Sequence, residues 1–383
     1  MSTTHGGALA RLSGMEGLAR SVVTGVVPVI ALQALGTKAA VSYAYLVGAC
    51  LTLLVTLNLG TLERWMPRRW VIALGLGFLA LAAVVYAVAK GSWLALGIGL
   101  TSSAASIFSV CLALFIMDAV DKRDLARNES RRIAYHGLAW LIGPSLGLWL
   151  WASVDPNLPF VVSGLVAALA LVYFWKLRLG GTVSVPVIAG ATNPLKTVPR
   201  FFSQPRLRLA YAITTTRSIF WFSVFVYGPI YVIEAGLPTW VGGAMLSIAS
   251  SLLLLSPVVN RLAERWGTRW VVTRSFVAIA AGASILAMIG DARPIGLLAW
   301  GVAAVGGAAL DVVGNIPFMR MVRPSERVPM TGVFSTWREV SSLLAPAIAA
   351  VCLALGSFRL FYVAIALLAA ATGTAATWLP TRL

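Results

Sequence analysis

Arg217, Asp311, Arg338 and Glu339 each stand inside a long apolar run. An ionisable side chain at a bilayer centre costs about 2.5–3.5 kcal/mol on insertion scales, so such a group faces a partner or a polar cavity. Two cations and two carboxylates can hold a charged or polar ligand and exchange protons. Arg217 suits an anionic or polar group because its planar guanidinium offers several donors. Asp311 or Glu339 suits proton exchange, with burial and a nearby arginine together deciding where the carboxylate titrates. Asn315, one turn beyond Asp311, extends the polar stripe, and Trp221 and Phe225 share a helix face with Arg217 and are expected to wall a pocket. A salt-bridge cluster that only fastens helices together is the alternative reading. In the first half, Glu16 and Arg20 are spaced for an i, i+4 pair. His136, with an unperturbed pKa of about 6.5, is a candidate proton sensor or a hydrogen-bonded structural residue.

The elements that carry these residues must be membrane helices. Hydrophobic residues make up 59% of the 383-residue chain and charged residues 11%, whereas soluble domains carry about 25% charged residues. Mean hydropathy is +0.87. Only helices that satisfy their own backbone hydrogen bonds suit such runs, and about 20 apolar residues cross the hydrocarbon core. Twelve spans are predicted, at 10–33, 39–60, 69–89, 93–117, 133–153, 158–178, 208–233, 238–259, 270–290, 295–319, 329–354 and 359–379. The first is expected to begin earlier than its hydrophobicity suggests, because the repeat described next sets Glu16 against Arg217. Arg217 then lies about ten residues from one end of helix seven, Asp311 about eight from the same side of helix ten, and Arg338 with Glu339 about ten into helix eleven. At 1.5 Å per residue these depths agree within about one turn. Arg338 and Glu339 diverge by about 100°, so one is expected to face Asp311 and the other to lock the bundle interior.

Glu63-Arg64-Trp65 with Arg68-Arg69-Trp70-Val71 recurs as Glu264-Arg265-Trp266 with Arg269-Trp270-Val271. Pro28 falls on Pro229, Gln33 on Glu234, Pro144 on Pro346 and His136 on Arg338 at nearly the same displacement. The chain reads as a tandem duplication of a six-helix unit. Residues 1–179 form the first bundle, the polar, proline-containing stretch 180–206 the connection, and 207–383 the second bundle.

The net charge of +17 could suggest a polyanionic partner, so the placement of charge decides. Lys38, Lys90, Arg293 and Arg359 fall on one side, Arg217 and Arg338 inside helices, and every other Lys and Arg of the 30 on the opposite side. That asymmetry is the positive-inside rule and makes both termini cytoplasmic. No nucleic acid partner is expected. Cys50, Cys111 and Cys352 lack metal-ligand spacing and read as packing residues. With only His5 and His136 there is no triad, zinc-protease motif or phosphate loop, so neither an enzyme, a metal site nor a cofactor is expected. The N-terminal segment does not read as a cleavable signal, because its apolar run continues for a full span.

The paired loop motif resembles the major facilitator superfamily, whose loop runs approximately Gly-x-Leu-x-Asp-Arg-x-Gly-Arg-Lys. Here the copies read Leu59-Gly60-Thr61-Leu62-Glu63-Arg64-Trp65-Met66-Pro67-Arg68 and Asn260-Arg261-Leu262-Ala263-Glu264-Arg265-Trp266-Gly267-Thr268-Arg269, with Glu in place of Asp. The resemblance implies an all-α membrane protein of two pseudo-symmetric six-helix bundles, with helices seven and ten along a central cavity. It makes Glu63, Arg64, Arg68, Glu264, Arg265 and Arg269 a cytoplasmic gating latch. Gly143-Pro144-Ser145-Leu146-Gly147 in helix five looks like part of the Gly-Pro segment of drug:proton antiporters, and Gly143, Pro144 and Gly147 are expected to act as a hinge. The arginine those antiporters carry in helix four has no counterpart between Trp93 and Met117, and the chain is more similar to uncharacterised twelve-span bacterial permeases. The implied function is secondary transport of a small organic solute by alternating access, with proton-coupled efflux as the expected mode, in a monomer of the bacterial inner membrane. Uptake of an anionic metabolite, with Arg217 and Arg20 as counter-charges, and a non-transporting sensor or assembly factor are the alternatives.

Overall fold

The computed structural model describes residues 2–119, 124–177, 194–323 and 326–380, and among them every regular element is helical. Among the described residues twelve helices are long and apolar enough to cross a membrane: Gly6–Leu35, Lys38–Leu59, Arg68–Val88, Gly91–Ile116, Arg127–Ser153 and Leu158–Lys176 in the first half, then Pro205–Glu234, Thr239–Trp266, Thr268–Ile289, Gly296–Met321, Pro329–Ala354 and Phe358–Ala376. They are called helices one to twelve below. The helix that opens the chain starts at Ser2, earlier than hydropathy alone would place it.

The chain divides into two compact units, Met1–Pro186 with Pro238–Ser247, and Val187–Leu237 with Ile248–Leu383. Within the first, helix five packs on one, four on two and three, and six on one and three. Within the second, eleven packs on seven, ten on nine and on the second part of eight, and twelve on seven and nine. The same pairings recur, so the repeat read from the sequence is a repeat of packing.

Helices one and seven share an irregularity. Helix one turns at Gly25, between Ser2–Thr24 and Val26–Leu35, and helix seven passes through a π-helical turn at Ser223–Tyr227. Proline lacks an N–H and its ring presses on the carbonyl four residues back, which is residue 24 for Pro28 and residue 225 for Pro229. A duplicated proline therefore produces a local break at the equivalent place in each half. Pro317 acts similarly in helix ten, whose regular part ends at Val313 before resuming at Ile316.

Helix one meets helix five at glycine. A Cβ on Gly143 would overlap Ser21, and one on Gly147 would overlap the Val22 carbonyl, so only glycine lets the two backbones approach this closely. Ser21 Oγ donates to the Ala139 carbonyl at 2.9 Å, and Ser163 Oγ of helix six donates to the Ala19 carbonyl at 2.6 Å. Helix five remains one continuous helix, Leu125–Ser153, through Pro144. The first unit also takes in the start of helix eight, where Gly243 lies against the Pro144–Ser145 backbone and Ser247 Oγ sits 2.8 Å from Ser145 Oγ.

Part of the polar connection at 180–206 is helical. Residues 178–193 lie outside the described residues, but Pro194–Phe202 is a helix. Its Phe201 is fully buried beside Leu207, Tyr211, Phe318 and Phe334, and Arg200 pairs with the buried Glu326. Prolines at both Pro194 and Pro199 made this stretch look irregular, whereas the apolar face of Phe201 supplies the packing that holds it helical.

Replacing Gly143 or Gly147 with leucine is expected to lower the thermal unfolding midpoint of the purified protein, by overpacking worth about 1–3 kcal/mol or more. Gly137→Leu, where an added Cβ meets nothing within 4 Å, should leave the midpoint nearly unchanged. Equal effects at all three positions would contradict the close approach of helices one and five.

Candidate functional site

The second unit builds a charged site from helices seven, ten and eleven. Helix seven places Arg217 on its buried face, with a side chain 7% exposed, and Asp311 of helix ten, 25% exposed, accepts from it across a 3.3 Å ion pair. Arg217 also donates from Nη1 to the Leu310 carbonyl at 3.2 Å, and its guanidinium lies 5.2 Å from the centroid of the Trp337 ring. The ring's electron-rich face and the carboxylate thus share the work of holding a cation away from water.

Gly314 leaves room for this guanidinium: a Cβ there would come within 3.4 Å of Arg217 Nη1. Trp221, one turn along from Arg217, approaches the Asp311 carboxylate and packs over Gly307. Phe225 continues the row, with ring centroids 5.7 Å from Trp221. Asn315 falls in the turn before Pro317, and its Oδ1 is buried without a hydrogen-bond partner. A buried acceptor left unpaired is costly and is a place where a donor, such as a ligand group, gains binding energy.

Helix eleven is broken at Thr336, between Arg327–Ser335 and Trp337–Ala354. Thr336 Oγ1 donates to the Val333 carbonyl at 2.8 Å and lies 3.0 Å from the Tyr211 hydroxyl of helix seven. Arg338 and Glu339 therefore sit in the first turn of a new helical segment, where a carboxylate is favoured by the helix dipole. Arg338 is exposed and lies 5.4 Å from the Trp337 ring, so two guanidiniums share one indole. Neither Arg338 nor Glu339 forms an ion pair with Asp311 or Arg217. The four-residue network anticipated from depth is a two-residue pair with Arg338 and Glu339 beside it, because the break at Thr336 redirects helix eleven.

Sequence reasoning did not find Trp337, nor the polar contacts that fasten helix seven. Besides Tyr211 and Thr336, Ser341 Oγ donates to Ser218 Oγ at 2.8 Å and Thr216 Oγ1 lies 2.9 Å from Thr372 Oγ1 of helix twelve. The run Thr214-Thr215-Thr216 beside Arg217 was the available signal.

The first unit contains a counterpart. Glu16 is 3% exposed and lies 3.0 Å from Arg20 Nε, and the Arg20 guanidinium stands 5.3 Å from the Trp140 ring of helix five. His136 is beside them, its Nδ1 3.4 Å from the Ser13 carbonyl and its ring against Gly17. Each unit thus sets an arginine of its first helix, paired to a carboxylate, against a tryptophan of its fifth.

The side chains of Glu63 and Arg64 are outside the described residues. Arg68 lies 5.9 Å from the Phe115 ring, and Arg265 lies 5.5 Å from the Trp266 ring. Glu264 is exposed, and Arg269 donates to the Leu379 carbonyl at 3.4 Å, beyond the end of helix twelve.

The family profile of the Major Facilitator Superfamily matches residues 12–255 and 249–382. The chain belongs to the major facilitator superfamily. No curated protein matches it. Its fold is similar to that of the nucleoside transporter NupG, with a TM-score of 0.77 at 14% identity over 97% of this chain and 98% of that one. It is also similar to a POT family transporter in complex with 5-aminolevulinic acid, with a TM-score of 0.77 at 11% identity over 97% and 95% of the two chains. A bacterial homologue of the human lysosomal transporter Spinster, in an inward-facing and occupied conformation, gives a TM-score of 0.75 at 14% identity over 97% and 96%. As a member of this superfamily the chain is a multi-pass membrane transporter of a small-molecule substrate, in contact with lipid, and not an enzyme.

Asp311→Asn alone leaves Arg217 as an uncompensated buried cation and is expected to destabilise the second unit by about 3–5 kcal/mol. Pairing it with Arg217→Met should recover part of that loss, with a coupling of about 0.5–3 kcal/mol in a double-mutant cycle of unfolding. Arg338→Gln should change stability far less. Strictly additive effects of the Arg217 and Asp311 replacements would show that the pair is not an interacting unit.

Proposed function

We propose that this superfamily member couples movement of a small organic solute to protons, with Asp311 carrying the proton and Arg217 holding the anionic or polar end of the solute. The observation that carries the reading is the buried 3.3 Å pair between them. While Asp311 is ionised, the guanidinium is neutralised from within the bundle. When Asp311 takes a proton, Arg217 loses its counter-charge and a solute anion can replace it. Loss of the proton restores the carboxylate, which displaces the anion. Asn315 Oδ1 offers a donor-bearing solute a further contact.

Proton and anion then bind together, which favours proton-driven uptake of an anionic metabolite over the export mode suggested by the partial Gly-Pro segment. Export is the second reading, supported by the aromatic row of Trp221 and Phe225. A flat or cationic solute on that row would need Asp311 ionised and would compete with the proton. In either mode the bundles 1–179 and 207–383 would rock about the solute by alternating access, with the 180–206 connection between them. The loop motif at Glu264, Arg265 and Arg269, and its copy at Glu63, Arg64 and Arg68, would latch one state, and Gly143, Pro144 and Gly147 would let helix five repack. The proposal includes a monomer in the bacterial inner membrane with both termini cytoplasmic, and the distribution of basic residues supports that orientation of the termini.

A thermal-stability screen of the purified protein against organic acids, nucleosides, amino acids and cationic drugs, at about pH 6 and pH 8, separates the readings, because a ligand of the native state raises its stability. Stabilisation by carboxylic acids that is stronger at the lower pH is the expected result, with the pH dependence lost in Asp311→Asn and the binding lost in Arg217→Gln. Stabilisation that is stronger at the higher pH would favour export. Hits whose pH dependence survives in Asp311→Asn would remove Asp311 from the coupling.

A further inference from the structure

Arg359 needs an explanation that topology does not supply. It is one of the few basic residues on the side where they are scarce, and it occupies the first turn of helix twelve. Its Nε donates to the Ala287 carbonyl at 3.0 Å, close to the end of helix nine at Gly290. That bond caps the carbonyl end of helix nine and uses one of five guanidinium N–H donors. Among the described residues no carboxylate forms an ion pair with Arg359.

From Arg359 a cavity of about 490 Å³ runs between helices nine and twelve, lined by Ala280, Ser284, Ala366, Leu367 and Ala370. Small side chains on both helices keep it open, and Met288 and Leu367 beside it are 70% and 66% exposed. An apolar surface this exposed on a membrane span faces lipid. Arg359 and Ala370 are eleven residues apart on one helix, or about 16 Å at 1.5 Å per residue, which is half of the roughly 30 Å hydrocarbon core. The groove therefore spans one leaflet, with its only lining cation at the polar boundary.

The geometry points to a phospholipid site: the acyl chain lies in the groove between helices nine and twelve, and the phosphate sits on the Arg359 guanidinium. The occupant belongs to the leaflet opposite the Glu264–Arg269 turn. The charge of the phosphate complements Arg359, and guanidinium and phosphate match as paired donors and acceptors. The uncapped start of helix twelve, where no side chain bonds the first amides, adds a favourable dipole for an anion.

The test is thermal unfolding of the full-length protein in detergent during titration with phosphatidylglycerol, phosphatidylcholine or inorganic phosphate. Both lipids should stabilise the wild type and inorganic phosphate should not. Arg359→Gln should weaken apparent lipid affinity by about tenfold, the size expected for losing a charge-assisted hydrogen bond, and Arg359→Lys should retain most of it. Ala370→Leu, which fills the far end of the groove and leaves the cation untouched, should also weaken lipid binding; if Arg359→Gln fails to fold for want of the helix-nine cap, Arg359→Lys and Ala370→Leu carry the test. Unchanged lipid affinity in Ala370→Leu, equal stabilisation by inorganic phosphate, or disulfide cross-linking of two Met288→Cys copies through this face would overturn the assignment.

Discussion

A guanidinium and a carboxylate held at one depth among apolar helices constrain each other, and much of the second unit is arranged around that fact. Arg217 cannot be left alone in the bundle interior, so Asp311, the Leu310 carbonyl and the Trp337 ring converge on it from helices ten and eleven. Those contacts bring three helices together at one level. The helix ends that supply them are irregular: helix ten stops at Val313 ahead of Pro317, and helix eleven restarts at Trp337. Breaks of this kind cost backbone hydrogen bonds, and around Arg217 they coincide with the groups that a charged ligand would need.

The first unit solves a similar problem with different residues. Glu16 and Arg20 lie on one helix, so their pairing fastens nothing by itself, and it is Trp140 that ties Arg20 to helix five. Close approach through Gly143 and Gly147 supplies the rest of that contact. In the second unit the carboxylate is on a different helix from the arginine, so breaking the pair would loosen seven from ten. That difference makes the second unit the better candidate for coupling protonation to a change in helix packing.

Much of this was legible in the sequence. Apolar runs place the twelve helices, and span boundaries put Arg217 and Asp311 at one depth without any knowledge of contacts. The duplicated prolines Pro28 and Pro229 also mark the matching breaks in helices one and seven. What could not be read depends on contacts between segments far apart in the chain. Nothing near Thr336 signals a break, because its partner is Tyr211, and the resulting shift takes Arg338 and Glu339 out of the pair. Trp337 reads as one more membrane aromatic until Arg217 is seen against it. The linker helix escaped notice because its prolines mask an apolar face that only the core around Phe201 makes visible.

The central claim is that Asp311 exchanges a proton while paired with Arg217. Infrared difference spectroscopy of the protein in lipid, between about pH 5 and pH 9, tests it without knowledge of the solute, since a protonated carboxyl absorbs apart from a carboxylate and functional carboxyls titrate in this range. The account predicts a carboxyl band that appears as the pH falls, is missing in Asp311→Asn, and shifts in its pH dependence in Arg217→Gln. A band that persists unchanged in Asp311→Asn, or no titrating carboxyl that depends on residue 311, would contradict it.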